Sequence, residues 1–447
     1  MQPGRPTIPT MMALAGPAAP MSALSLPLII YLPEFFSNAL GISLAVVGLM
    51  FTVVRLADLA FDPFVGGLMD RTMTRFGQFR PWLLIGVPVV IAGTVMLFMA
   101  ERGAGVLRLS IGLALGYAGY SIVNLAQMGL GTELTSDYRE RSRVFAWWQG
   151  FNGLGLVLVL MLPVVLPYLF GERMAQDPGF TVRTMGWFVV VTLPLTALLC
   201  VARVRESGTA RTSHVASLAD YRSLLSLSST RLLLLAQILV GMAGGIASAV
   251  FIFYFTMIKH VPREYVGVQF LILTFGSMIS AVLWSWLANR IGKHRALIVG
   301  CLLYSAYLVV LFIMPAGNLV IFYALALPGG VAAASFDMLP RAMMADVSDE
   351  DRLSSGHDRL GMLFALLTVT IKLGQAVSIG IVYFMLDLLG FNASSAAANP
   401  PGALLGVSAL FTLVPLSLYV AAALVASRYT LTPARHRGIL VSLGEAK

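Results

Sequence analysis

Twelve apolar stretches separated by polar loops make up most of this sequence. Each contains about 20 residues or more, enough for a helix to cross about 30 Å of hydrocarbon. Only 11% of the residues are charged, compared with about 25% in ordinary soluble domains. A soluble protein with so few charges could not cover its surface. The sequence therefore predicts an all-α integral membrane protein with twelve transmembrane helices.

Basic residues are concentrated in alternate loops. Of the 30 Lys and Arg, about 22 lie in one set of loops and the termini, which the positive-inside rule places on the cytoplasmic side. Both termini are thus predicted to be cytoplasmic, in a multi-pass protein of the inner membrane. Because the net charge of +9 follows this topology, it does not indicate a nucleic-acid partner.

The longest cytoplasmic loop divides the chain at its midpoint, and the two halves resemble each other. The second span ends in GGLMDRTMTRFGQFRPWLLIG and the eighth in SWLANRIGKHRALIVG. Such repeats resemble the duplicated bundles of the major facilitator fold. We expect a six-helix bundle over residues 1–202, a cytoplasmic loop over 203–229, a second six-helix bundle over 230–427 and a cytoplasmic tail over 428–447.

Arg55, Asp58 and Asp62 lie inside the second span. Residues three, four and seven apart share a helix face, so these groups form one polar stripe. A charge at bilayer depth costs at least about 2.5 kcal/mol, so the stripe must face a partner or water. Two carboxylates predict a cation or proton site, and Pro63 would free a carbonyl oxygen nearby. A structural ion pair between Arg55 and one aspartate is the alternative.

Lys372 is a second charge within a span, the eleventh, and belongs to the other half of the chain. It could pair with the two carboxylates while the ion site is empty, which would link ion binding to a rocking motion. Alternatively, the side chain snorkels to the membrane interface.

Neutral polar residues of the fourth span are candidates for binding substrate. They are Tyr120, Ser121 and Asn124, whose side chains could contact substrate hydroxyls or simply bond neighbouring helices. Gln149 follows Trp147 and Trp148, an arrangement suited to stacking on a sugar and hydrogen bonding to it. Aromatic residues near a span end are also common interface anchors.

The loops and histidines predict a gate but no catalytic site. We expect a cytoplasmic gate built from charged loop residues, namely Asp70, Arg71, Arg75, Arg80, Asp137, Arg139 and Arg141. The acidic run ADVSDEDRLSSGHDR lacks the spacing of a calcium loop, and the five histidines show no ligand spacing. Without a nucleotide motif or a catalytic constellation, the sequence predicts a secondary transporter without cofactor or structural metal.

Several segments resemble the glycoside–pentoside–hexuronide cation symporters. These segments occur in both halves: VRLADLAFDPFVGGLMDRTMTRFGQFRPW, YSIVNLAQMGLGTELTSDYRER, SLADYRSLLS, ADVSDEDRLSSGHDRLG and IKLGQA. The stretch from DP to RPW is the most specific. The resemblance implies a major facilitator fold and ion-coupled symport by alternating access, with substrate bound near the midplane between the two bundles.

The resemblance also assigns roles by position. It implies that Asp58 and Asp62 are the cation-site carboxylates and that Arg55 is their neighbouring arginine. It further implies that Ser121 is a cation-site hydroxyl, that Lys372 is a lysine that contacts this region and that Asn124 is a substrate position.

Departures from the family pattern affect the ion and the substrate. Phe61 stands where the family can have an asparagine that binds sodium, which favours H⁺ over Na⁺ as the coupling ion. Ser22, Met128 and Gln149 stand where the melibiose-carrying members have an aspartate, a tryptophan and an arginine for the sugar. The galactoside site is therefore not reproduced.

The sequence thus predicts a monomeric symporter that moves a sugar or glycoside through the lipid bilayer with a cation. A carrier of lysophospholipid or another amphiphile on the same fold is the nearest alternative. From another class, a membrane sensor or scaffold would not require carboxylates within its spans.

Overall fold

A computed structural model of the chain describes residues 6–72, 74–134, 138–171, 177–204, 206, 218–357, 359–393 and 399–443. Within these ranges the protein is helical, apart from loops and one isolated β-bridge between Thr74 and Gly77. The helices are α1 (Ile8–Ala15), α2 (Ala18–Leu26), α3 (Leu32–Asn38), α4 (Leu44–Arg71), α5 (Arg80–Phe98), α6 (Val106–Glu133), α7 (Tyr138–Phe170), α8 (Pro178–Arg203), α9 (Leu218–Ser226), α10 (Ser228–Phe253), α11 (Arg263–Ile279), α12 (Ala281–Ile291), α13 (Lys293–Ile313), α14 (Leu319–Ala333), α15 (Ser335–Ser355), α16 (Leu360–Leu388), α17 (Pro401–Ser408), α18 (Val414–Ser427) and α19 (Pro433–Ser442). Three π-helical turns continue the spans, at Pro27–Tyr31, Tyr254–Ile258 and Ala409–Leu413.

The described helices account for the predicted membrane spans. Eleven continuous helical spans among the described residues are long and apolar enough to cross a bilayer, and four of them join consecutive labelled helices or π-helical turns: Ile8–Asn38, Ser228–Ile258, Leu319–Ser355 and Pro401–Ser427. The pair α11 and α12, bent by 49°, makes a twelfth if it counts as one broken span. The predicted all-α membrane fold is therefore confirmed.

The chain divides into two compact units. The first comprises Met1–Ser213 with Asn392–Ala398, and the second comprises His214–Phe391 with Asn399–Lys447.

In the first unit, α6 packs against both α4 and α5. The α5–α6 contact is close because glycines meet: a Cβ on Gly93 would lie 2.5 Å from the backbone nitrogen of Gly116. Small residues let helix backbones approach in this way. The packing fixes the face that α6 presents to α4, and that face holds the candidate site.

A carboxylate caps the start of α5. Glu206, which follows α8, accepts hydrogen bonds from the backbone N–H groups of Gln78, Phe79 and Arg80, at 3.0 Å for Phe79 and 2.6 Å for Arg80. Helix N-termini favour negative charge because their N–H groups lack partners within the helix. Gly77 is required here, since it has φ +109° and a Cβ would lie 2.4 Å from the Glu206 carboxyl carbon.

In the second unit, ion pairs gather where helices begin and end. Arg359, just before α16, bonds Asp351 near the end of α15 at 2.5 Å and Asp220 on α9 at 3.3 Å. The hydrogen bond to Asp351, helped by its charge, raises the pKa of the Arg359 guanidinium above its usual value. Arg435 on α19 pairs with Glu350 at 2.6 Å. These contacts tie three helices to the C-terminal end of α15.

Candidate cation and substrate site

The charged stripe lies on α4 as the sequence predicts. Arg55 and Asp58 are each only 9% exposed, and Asp62 is half-buried. The helix continues through Pro63, so the carbonyl oxygen of Leu59 receives no backbone hydrogen bond from position 63. One arginine and two aspartates are thus held within two turns of a helix that crosses the membrane.

Ser121 on α6 contacts the first of the two aspartates. Its Oγ donates a hydrogen bond to Asp58 Oδ1 at 3.1 Å, and the serine is 4% exposed. A hydroxyl can turn either its proton or its lone pairs toward a neighbour. Ser121 can therefore donate to an ionised Asp58, or accept when that carboxyl is protonated or when a cation lies between them.

Tyr117 on α6 contacts the arginine of the stripe. Arg55 Nε donates a hydrogen bond to the Tyr117 hydroxyl at 3.0 Å, and Arg55 Cζ lies 5.4 Å from the centroid of the tyrosine ring. Sequence reasoning missed this residue. Its only signal was the spacing, because Tyr117 lies one helical turn before Ser121 and so shares its face of α6.

The electrostatics of the stripe suit a single positive charge. With all three groups ionised, two carboxylates and one guanidinium leave one net negative charge at membrane depth. A proton or a monovalent cation brings the stripe to zero. Neutralising a charge out of contact with bulk water removes a large desolvation cost, so ion occupancy can control whether the surroundings close over the site.

The remaining site candidates are distributed over three helices. Tyr120 and Asn124 are half-buried on α6, in the turn that also holds Ser121. On α7, Trp148 is half-buried and Gln149 is exposed. Lys372 is half-buried on α16 and belongs to the second unit. Their predicted roles stay predictions.

An open cavity of 460 Å³ runs along α7. One face of that helix lines it, with an arginine at one end followed by small, aromatic and aliphatic residues: Arg143, Ala146, Trp147, Gly150, Phe151 and Leu154. Neither Trp148 nor Gln149 is part of this lining. Trp147 and Phe151 are the aromatic residues that line the cavity.

Ser22 has a structural role in the first unit. Its Oγ donates to the backbone oxygen of Asn152 on α7 at 2.6 Å, and the side chain is buried. Position 22 therefore joins α2 to α7.

The predicted gate residues are described only in part. Arg71 is exposed at the end of α4, Arg75 lies over the Phe76 ring at 4.9 Å, and Arg80 donates to the backbone oxygen of Val201. Asp137 lies outside the described residues, as do the side chains of Asp70, Arg139 and Arg141.

Comparisons with known proteins find relatives that match most of the chain. The profile of a family described as "MFS/sugar transport protein" matches residues 13–433. The chain is 26% identical over 414 residues to the "putative glycoside/cation symporter YagG" of Escherichia coli (strain K12), covering 91% of this chain and 88% of that one. It is 24% identical to a "glucuronide carrier protein homolog" of the same strain, covering 94% and 91%.

Among solved structures, the nucleoside transporter NupG superposes with a TM-score of 0.67. The match covers 94% of this chain and 98% of that one at 11% sequence identity, which shows a shared fold and nothing about substrate.

Proposed function

We propose the coupling ion, the substrate class and the residue roles from one premise, namely that this chain belongs to the family of MFS/sugar transport proteins. It is a membrane transporter, not an enzyme, and it moves a sugar or glycoside in symport with a cation. The cation binds the α4 carboxylates Asp58 and Asp62, with Ser121 assisting. The single observation that supports this best is the bond from Ser121 to the buried carboxylate of Asp58.

The coupling ion in this proposal is H⁺. A proton needs one carboxylate, whereas a metal cation in a protein is surrounded by several oxygen ligands. Phe61 places an apolar ring next to Asp62, at a position where the family can supply an amide oxygen. Sodium would have to recover that ligand elsewhere.

Coupling follows from the charge on the stripe. When Asp58 or Asp62 takes a proton, the net charge falls to zero and the site tolerates exclusion from water. A substrate that favours the same protonated state raises proton affinity, and the proton raises substrate affinity by the same factor. Arg55 sets the electrostatic balance, and Lys372 is proposed to act as a counter-charge while the carboxylates are ionised.

For the substrate, we propose a neutral glycoside or a uronide, contacted by Tyr120, Asn124, Trp148 and Gln149. Positions 22 and 124, where the melibiose-carrying relatives have sugar-binding aspartates, are a serine and an asparagine here. An amide both donates and accepts hydrogen bonds and does not repel a carboxylate. The similarity of this chain to a glucuronide carrier protein homolog supports an acidic sugar as the substrate.

One observation favours a second candidate, an amphiphile. The cavity on α7 has a single charged residue, Arg143, and is otherwise lined by apolar or small residues. A molecule with an anionic head and an apolar body, such as a lysophospholipid, matches this chemistry.

Transport into proteoliposomes separates these possibilities. Purified protein would be supplied with a galactoside, a glucuronide, a xyloside or a lysophospholipid, and either a pH gradient or a sodium gradient would be imposed. We expect accumulation of a glycoside driven by the pH gradient alone. A sodium requirement would refute the proton assignment, and uptake of the lysophospholipid without any sugar would refute the substrate assignment.

We further propose a monomer of the inner membrane with both termini cytoplasmic, as the distribution of basic loops favours. An impermeant reagent that modified cysteines placed at either terminus of intact cells would refute this orientation.

A further inference from the structure

We propose that Tyr117 is a positioning residue of the cation site: its hydroxyl binds Arg55 Nε and so keeps that part of the guanidinium away from Asp58. This inference depends on the proposed role of the α4 carboxylates. It concerns a residue that the sequence did not single out and whose hydroxyl touches the arginine rather than the carboxylates.

Two rows of residues face each other across the α4–α6 contact. On α6, Tyr117 and Ser121 are four residues apart, and on α4, Arg55 and Asp58 are three apart. Each hydroxyl contacts one charged group: Tyr117 accepts from Arg55 Nε at 3.0 Å, and Ser121 donates to Asp58 Oδ1 at 3.1 Å. Hence α6 engages the cation and the anion of the stripe separately.

The bond from Nε matters because of the shape of guanidinium. An arginine binds a carboxylate best through two parallel N–H donors, and one of its donor edges consists of Nε and a terminal nitrogen. The Tyr117 hydroxyl occupies Nε, so that edge cannot clamp a carboxylate. The ring lies 5.4 Å from Cζ and adds a cation–π attraction that holds the guanidinium in place.

Burial makes this arrangement effective. Arg55, Asp58 and Tyr117 are each at most 9% exposed, so water screens their interactions little. On α6, which packs against α4, Ser121 bonds Asp58, and on α3, which also packs against α4, Glu34 accepts from Asn38 at 2.9 Å. The other carboxylate of the stripe, Asp62, lies one turn farther along α4 and is half-buried. A freed Nε edge would therefore find Asp58 one turn away as an acceptor.

Removing the hydroxyl should thus stabilise the ionised carboxylate. Tyr117→Phe keeps the ring and its packing but releases Nε, and a nearby guanidinium favours the charged form of a carboxyl. Protonation of the stripe then requires a lower pH, by about one pH unit or more. A tyrosine that only filled space would leave this midpoint unchanged when replaced by phenylalanine.

Carbodiimide labelling measures protonation without knowledge of the substrate. Dicyclohexylcarbodiimide modifies protonated carboxyl groups in apolar surroundings, and mass spectrometry locates the adduct on Asp58 or Asp62. The full chain would be labelled in proteoliposomes over a range of pH values as wild type, Tyr117→Phe, Arg55→Gln and the Tyr117→Phe/Arg55→Gln double variant. Tyr254→Phe is the matched control, because it removes another buried tyrosine hydrogen bond, to the Leu311 backbone oxygen at 2.9 Å.

We expect the labelling midpoint of Tyr117→Phe to fall by about one pH unit or more, while Tyr254→Phe keeps the wild-type midpoint. In the Arg55→Gln background, Tyr117→Phe should cause no further shift, since the arginine through which it acts is absent. Tyr117→Leu should shift the midpoint in the same direction, and it replaces Tyr117→Phe if that variant does not fold.

Three outcomes overturn the inference, and they are distinguishable. An unchanged midpoint in Tyr117→Phe, with normal pH-dependent labelling of the wild type, refutes the role of Tyr117 alone. An equal shift in the Arg55→Gln background shows that Tyr117 does not act through Arg55. If neither carboxylate of the wild type is labelled at any pH, the proposed proton site fails, and the inference fails with it.

Discussion

The second span of each unit follows the same pattern in sequence but differs in structure. In the first unit, α4 is one unbroken helix of 28 residues that carries Arg55, Asp58 and Asp62 in its interior. In the second unit, the corresponding span is divided at Ser280 into α11 and α12, bent by 49°. The sequence has no charged residue between positions 266 and 289.

Polar residues in the second-unit span serve packing. Ser277 donates to the backbone oxygen of Gly330 at 2.8 Å, and Trp284 Nε1 donates to that of Val331 at 2.7 Å. Both acceptors belong to α14, which packs against α11. The two corresponding spans therefore both pack through backbone and side-chain contacts, while only α4 carries charged residues in its interior.

The first prediction concerns the charged residues within α4, where we expect the largest effect on transport. Asp62→Asn should abolish accumulation of a glycoside against its gradient, because an amide can neither gain a proton nor balance a cation. Exchange of the same glycoside between the two sides, which needs no net ion movement, should persist. Uptake and exchange in proteoliposomes measure the two quantities.

Thr274→Ala in α11 is the matched control for that experiment. The Thr274 hydroxyl donates only within its own helix, to the Phe270 backbone oxygen at 2.8 Å, among the described contacts. We expect coupled uptake to remain at the wild-type level. Equal losses of coupled uptake in Asp62→Asn and Thr274→Ala would mean that both spans take part in coupling, which would contradict the difference between α4 and α11.

The second test places a charge in the span that lacks one. Gln269 on α11 is 0% exposed, and Gln269→Glu changes its shape little. An ionised carboxylate at this buried position should destabilise the protein on the order of 3 kcal/mol. A buried carboxyl resists ionisation while the unfolded chain ionises freely, so the loss of stability should grow as the pH rises.

Thermal unfolding at two pH values checks this expectation, with Asp58→Asn as the opposite change in α4. That variant removes a buried charge, so its melting temperature should not fall more at high pH than that of the wild type. If Gln269→Glu melted like the wild type at both pH values, α11 would tolerate charge as α4 does.

The same contrast shows what sequence reasoning can reach. Arg55, Asp58 and Asp62 were identifiable because a charge within an apolar span is costly and needs a reason. The predicted number of spans is likewise confirmed, since hydropathy alone determines which segments can cross a bilayer.

Tyr117 and Glu206 were not predictable on those grounds. A tyrosine in a span costs little, so only the packing of α6 on α4 reveals its bond to Arg55. Glu206 read as one charge in a loop, and its partners at the start of α5 lie more than a hundred residues earlier in the chain. Neither contact follows from spacing along one helix.

The smallest expected effects concern the loops that follow the two corresponding spans. At the start of α5, Glu206 bonds three backbone N–H groups, so Glu206→Ala should cost about 1–2 kcal/mol of stability. At the start of α13, Lys293 and Asp346 pair at 2.5 Å with side chains 35% and 16% exposed. Asp346→Ala there should cost under about 1 kcal/mol, since solvent screens such a pair.

Denaturant unfolding of the two variants ranks the two contacts, because each substitution removes one carboxylate and leaves the sequences of α5 and α13 unchanged. A carboxylate that caps three N–H groups constrains the backbone, whereas one that pairs with a flexible lysine constrains two side chains. If Asp346→Ala proved the more costly change, the pair at α13 would do more than neutralise a charge, and the two loops would be closer equivalents than their contacts indicate.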